Sequence, residues 1–120
     1  MRQVLRSLYW IGSAKKDLLA MPDGVQQSFG FALYRAQIGL IHPDAKPLKG
    51  FGSAGILEIV EDWQGNAYRA VYTVRFAQAV YVLHCFRKKS KHGIETPKPE
   101  MDLIRKRLKE AETLAKGVAR

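Results

Sequence analysis

Along the first forty residues the apolar positions shift from a strand-like run to a helical period. Residues 4–11 (VLRSLYWI) are apolar and aromatic enough for a first strand. Ser13 stands where it would cap a short helix to Leu19, which Pro22 ends or interrupts. From Asp23 a longer helix is predicted, because Val25, Phe29, Leu33, Ala36 and Leu40 recur on one stripe. Asp23 and Gln26 have the spacing of a capping box. Gly30 and Gly39 weaken this helix, and His42-Pro43 stops it. Residues 43–55 hold two prolines and three glycines (Gly50, Gly52 and Gly55), which predicts a loop without phosphate-binding glycine spacing.

Beyond the loop the period changes. Residues 56–63, 67–75 and 79–86 are β-branched and aromatic runs, separated by Gln64-Gly65-Asn66 and by Phe76-Ala77-Gln78. Connections this short predict an antiparallel three-stranded meander, since a parallel crossover needs a dozen or more residues. Thr96 and Pro97 then open a C-terminal helix, with Met101, Ile104, Leu108, Ala111 and Ala115 on one face. Arg105, Lys106, Lys109 and Glu112 lie off that face. The order strand, helices, three strands, helix predicts an α+β fold: a small antiparallel sheet with helices packed on one side. A chain of 120 residues is one domain, long enough to bury a core without staples.

Composition narrows the class. Apolar residues are 47% and charged residues 26%, which excludes wholesale disorder. No apolar run approaches the roughly 18 residues that span a bilayer, and MRQVLRSLYW carries no secretory pattern. The single cysteine, Cys85, excludes an internal disulfide and any multi-cysteine zinc site. A cytoplasmic location with no membrane partner is therefore expected. Charge changes the picture more. The net charge is +9, and residues 87–120 alone contribute eleven basic against five acidic side chains. Such a field favours nucleic acid or an acidic protein.

The candidate chemistry follows from what is absent as much as from what is present. His42, His84 and His92 have no ligand spacing, so no metal or other cofactor is expected. Cys85 and His84 are adjacent on a predicted strand and point to opposite faces, a poor nucleophilic pair. Among the central acids, Glu58 lies within a strand, while Glu61 and Asp62 sit at its end, where solvated carboxylates are the default. The cations remain: Lys46 and Lys49 in the loop, Arg69 and Arg75 on the middle strand, then Arg87, Lys88, Lys89, Lys91 and His92. Two arginines on one strand face suggest an electropositive floor. This set suits attack of a ribose 2′-hydroxyl on its own 3′-phosphate, with cations stabilising the phosphorane. One lysine would act as base while another cation, or His92, protonates the leaving oxygen, and Phe86, Tyr68 or Tyr72 would stack a base. Cations that only bind phosphate have the same composition.

The combination of motifs resembles a known family. A KxLKGxG loop, an E-x-x-E/D strand, YRAVYTVR, and LHCFRKKSKxGxxTP before a basic helix are similar to the HigB-like branch of the RelE superfamily. The resemblance extends upstream through YWIGSAKKDL and ALYRAQIG. These are toxins of type II toxin–antitoxin pairs, many in phage-derived genes. The resemblance implies a metal-independent, ribosome-dependent mRNA endonuclease, an mRNA interferase that cuts A-site codons. It implies a cognate antitoxin, a helix-turn-helix DNA-binding protein, that holds the toxin inactive. By the same resemblance Lys49, with Lys46, supplies the loop lysines, Arg69 contacts the scissile phosphate, and Lys89 adds a further cation beside Arg87 and Lys88. The family's C-terminal stacking tyrosine has no counterpart after Tyr81, which passes stacking to Phe86, His92 or a ribosomal base.

Another reading stays open: a basic module derived from such a toxin that docks on RNA, the ribosome or an acidic protein without cutting. Sequence-specific DNA binding by this chain is not expected, because no helix-turn-helix is present and the basic helix must pack its apolar face.

Overall fold

The computed structural model describes residues 5–52, 55–88 and 96–118. In chain order the elements are β1 (Ser7–Trp10), α1 (Ala14–Leu19), α2 (Asp23–Gln37), β2 (Lys46–Pro47), β3 (Ile56–Trp63), β4 (Asn66–Thr73), β5 (Ala79–Lys88) and α3 (Lys98–Val118). They form one five-stranded sheet in the order β1-β5-β4-β3-β2. The α+β class and the antiparallel meander β3–β4–β5 stand as expected. β1 makes the sheet mixed, since it pairs parallel to β5 from Ser7 opposite Ala79 to Trp10 opposite Val82. No helix of the described residues is long and apolar enough to cross a membrane.

Local chemistry explains the element ends. Ser13 sits at the start of α1, but its hydroxyl donates to the Asp17 carboxylate at 2.7 Å instead of capping the backbone. The predicted capping box at α2 is likewise replaced. Gln26 turns its amide back to the Met21 and Leu19 carbonyls, at 2.8 and 3.2 Å, and so closes the entry turn. Gly39, at φ +86°, ends α2 before Leu40, which is exposed and not on the buried stripe. At the β3–β4 hairpin both Gln64 and Gly65 have positive φ, the geometry of a tight two-residue turn that sets Trp63 opposite Asn66. The predicted loop contains the short strand β2, whose extension donates Leu48 N–H to the Ile56 carbonyl at 2.9 Å.

Alternation along the strands gives the sheet two apolar clusters. Ala70, Tyr72, Val80 and Val82 meet Val25, Phe29 and Leu33 of α2 and Ala14 and Leu18 of α1. α1 and α2 thus form a helical layer on one side. Residues of the opposite parity, Ile56, Val71, Tyr81 and Leu83, meet Ile104 and Ala111 of α3. A bulge makes this second cluster possible. The register passes from Val71 opposite His84 to Tyr72 opposite Val82, so Leu83 is an extra residue in β5. Its carbonyl accepts a hydrogen bond at 3.0 Å from buried Arg107 of α3.

Candidate functional site

Register brings the site together. Lys46 lies opposite Glu58, Glu58 opposite Val71, and Val71 opposite His84, one row across four strands. The next row on the same face is Val60, Arg69 and Phe86. α3 covers the β5 side of this face and leaves the β2–β3 side open. Between its first turn and the 43–50 loop lies a cavity of about 790 Å³, lined by Lys46, Lys49, Glu58, Arg69, Thr96 and Met101 among others.

Arg69 is the floor of that cavity, 6% exposed. Its Nη1 donates to Glu58 Oε2 at 2.7 Å and to Thr96 Oγ1 at 3.2 Å. Its Nε is buried without an acceptor among the described residues. A buried guanidinium needs a counter-charge, because isolated burial of an ion is costly. Glu58 provides it from the neighbouring strand, one position diagonal to Arg69. Lys46 and Lys49 are exposed at the rim.

A second polar cluster joins three elements beside the cavity. His84 bonds Glu100 of α3 through Nε2, and Arg107 Nη1 approaches His84 Nδ1 at 3.4 Å. Arg107 Nη2 also donates to Ser13 Oγ at 3.0 Å, and that hydroxyl passes its proton side to Asp17. Burial holds the His84 pKa below its ordinary value; Glu100 and Asp17 oppose that shift, and Arg107 adds to it. Because a guanidinium can only donate, the Arg107 contact suits Nδ1 as acceptor and leaves Nε2 to donate to Glu100.

The structure separates the predicted residues. Lys46, Lys49 and Arg69 converge. Phe86 stacks on His84, with centroids 4.6 Å apart, on the same face as Arg69. Lys88 shares that parity two positions further on and is buried, whereas Arg87 pairs with Tyr68 on the opposite face and is exposed. Arg75 is not part of the floor. It lies past the end of β4, pairs with Glu112 of α3 at 3.4 Å and covers the Phe76 ring. Lys89, Lys91 and His92 lie outside the described residues. Tyr68 and Tyr72, expected as stacking candidates, belong to the cluster under α1 and α2 and offer no ring to this face. Burial pushes the Tyr72 hydroxyl up to about 12.

Cys85 and His84 do point apart. Cys85 sits in the α2-side cluster with its thiol pushed up to about 12 by burial, so it is packing. Among the described residues no group of three or more His, Cys, Asp or Glu side chains gathers to hold a metal. Sequence reasoning missed the role of Glu58, Thr96 and Glu100. Glu58 had one available signal: an acid flanked by Ile56, Leu57, Ile59 and Val60 within a strand implies a buried or functional partner.

Comparison with known proteins adds to this geometry. One solved structure, the toxin–antitoxin complex RelBE2 from Mycobacterium tuberculosis, is 19% identical over 74% of this chain and 98% of that chain, with a TM-score of 0.45. No curated protein matches the chain. The profile of the phage-derived protein Gp49-like family matches residues 16–109, which includes the loop lysines, β3 to β5 and most of α3. With the greater part of its length inside that match, the chain belongs to the Gp49-like phage-derived protein family.

Proposed function

We propose that this protein is the toxin of a type II toxin–antitoxin pair, a HigB-like mRNA interferase that cleaves mRNA on the ribosome and is silenced by a cognate antitoxin. The observation that carries the reading is the convergence of Lys46, Lys49, Glu58 and Arg69 on one open cavity. Such a cavity has the parts that transesterification of RNA requires. Arg69 supplies guanidinium charge at the cavity that stabilises the phosphorane oxygens, where extra negative charge develops. Glu58, paired with Arg69, takes the proton from the 2′-hydroxyl as it attacks the adjacent phosphorus. The P–O5′ bond breaks, a 2′,3′-cyclic phosphate forms, and a cation supplies the proton to the departing 5′-oxygen. Lys49 and Lys46 hold the flanking phosphates, and Lys89 is a further candidate for proton donation. Assignment of the base to Glu58 replaces the lysine base expected from composition.

Primer extension on a defined mRNA in a purified translation system tests this directly, with naked mRNA alongside. New 5′ ends inside codons only during translation are expected. Arg69→Lys and Lys49→Ala should each weaken cleavage, Arg69→Lys by roughly 100-fold or more. Cleavage of naked mRNA would mean a general ribonuclease, and no cleavage in either would leave a binding module.

A further inference from the structure

The solvent side of α2 is unlike the rest of this basic surface. Asp23 and Arg35 are the only charged residues of the helix. The outer side of α3, by contrast, carries Lys98, Asp102, Arg105, Lys106, Lys109 and Glu110. At 3.6 residues per turn Asp23, Gln27, Gly30 and Tyr34 form one outward row, with Phe31 beside it. Phe31 is 54% exposed and Tyr34 50%. Leu40 and Ile41 follow the helix and are also exposed, and His42 meets the Phe31 ring edge-on, with centroids 6.0 Å apart. At the other end Trp63, itself exposed, fills the place that a Cβ on Gly24 would take. Gly30 has nothing within 4 Å of a would-be Cβ, and on this row it lets another backbone come close.

The two charges supply a self-complementary pattern. Neither Asp23 nor Arg35 makes an ion pair among the described residues. Arg35 lies over the Phe31 ring, with Cζ 5.7 Å from the centroid. Asp23 and Arg35 stand at equal distances along the helix on either side of Phe29. We propose that α2 docks antiparallel on α2 of a second copy of this chain, about a two-fold axis at that level. Asp23 of each copy then opposes Arg35 of the other, Phe31 lies against Gln27, and Tyr34 reaches Gly24 and Trp63. At a net charge of +9 two copies repel over most of their surface, so a face with one acid and one base is where self-association costs least. α2 belongs to the layer across the sheet from α3, so the dimer leaves both cavities open and is independent of their chemistry. A contact of one helix pair is small, which sets the dissociation constant at roughly 10–100 µM.

Sedimentation velocity of the full chain, from well below to well above that range, tests the dimer. A reversible monomer–dimer equilibrium is expected, and Phe31→Lys should weaken it by roughly tenfold or more. Asp23→Arg and Arg35→Asp should each weaken it roughly tenfold, because each sets like charges together twice across the axis. The double variant, Asp23→Arg with Arg35→Asp, rebuilds both pairs and should recover wild-type association to within about threefold. Loss of fold stability does not produce such a recovery, and melting curves check that every variant folds. A chain that stays monomeric at the highest concentration would overturn the proposal and leave the face to a different protein. A dimer that Phe31→Lys leaves intact, or that the double variant fails to restore, would overturn it equally.

Discussion

Arg69 and Glu58 show how one ion pair can serve both stability and chemistry. The pair is closely spaced, at 2.7 Å, with side chains 7% and 16% exposed. Removal of one partner strands the other charge in a poorly hydrated place. Glu58→Ala should therefore lower unfolding free energy by about 3 kcal/mol, read from urea melts. Glu58→Gln keeps an acceptor and most of the packing, so its stability loss should be smaller. If Glu58 is the base, its single-turnover cleavage should still fall roughly 100-fold. A Glu58→Gln protein that folds and cuts at the wild-type rate would return the base to a lysine. Cys85 makes the contrasting case. With its thiol pushed up to about 12 and its side chain buried, it should resist a thiol reagent at pH 8 until the protein is unfolded.

Glycines mark where elements meet and where they do not. Gly30, inside α2, has nothing within 4 Å of a would-be Cβ, so Gly30→Ala should stabilise the fold by about 0.5–1 kcal/mol. Gly50 is the opposite, because its positive φ and the nearby Met101 side chain both penalise a Cβ. Gly50→Ala should destabilise by about 1 kcal/mol or more and loosen the loop that presents Lys49. Denaturant melts of the two variants, run together, separate the effects. α3 itself is anchored by Ile104, fully buried against the sheet, and Ile104→Ala should cost about 2–5 kcal/mol.

For the molecule as a whole, two electrostatic features set its response to solution conditions. The +9 charge makes any RNA or ribosome contact dependent on counterion release. Association should weaken steeply with salt, and a flat response over a several-fold change would remove the basic surface as the contact. The other feature is the junction of β5, α1 and α3 at His84, where Glu100, Arg107 and Asp17 face the imidazole. Its pKa is lowered from 6.5 in the folded protein, so the unfolded chain binds this proton more readily. The stability that His84 confers is present above pH 6.5 and is lost as the pH falls below it. Urea midpoints should decline between about pH 6.5 and 5.5, and His84→Gln should flatten that part of the profile. A wild-type profile without the decline would mean that Glu100 holds the proton on His84.

The helices and the meander are legible in the sequence, because periodicity and turn residues report local preference, whereas the residues of β4 are apolar on both faces and do not say which side is buried. Val25, Phe29 and Leu33 need only helical spacing, and the three strands need only β-branched and aromatic runs between turn residues. The cationic loop was equally plain, since Lys46 and Lys49 flank Leu48 between prolines and glycines. Register was not legible. A one-residue difference decides whether Arg69 meets Glu58 or water, and the bulge at Leu83 shifts every later position of β5. Only the folded sheet could place Lys46, Glu58 and Arg69 on one face, turn Tyr68 and Tyr72 to the other, and take Arg75 to α3. Local sequence encodes an element's preference for burial, whereas the site depends on pairings between segments that meet only when the sheet closes.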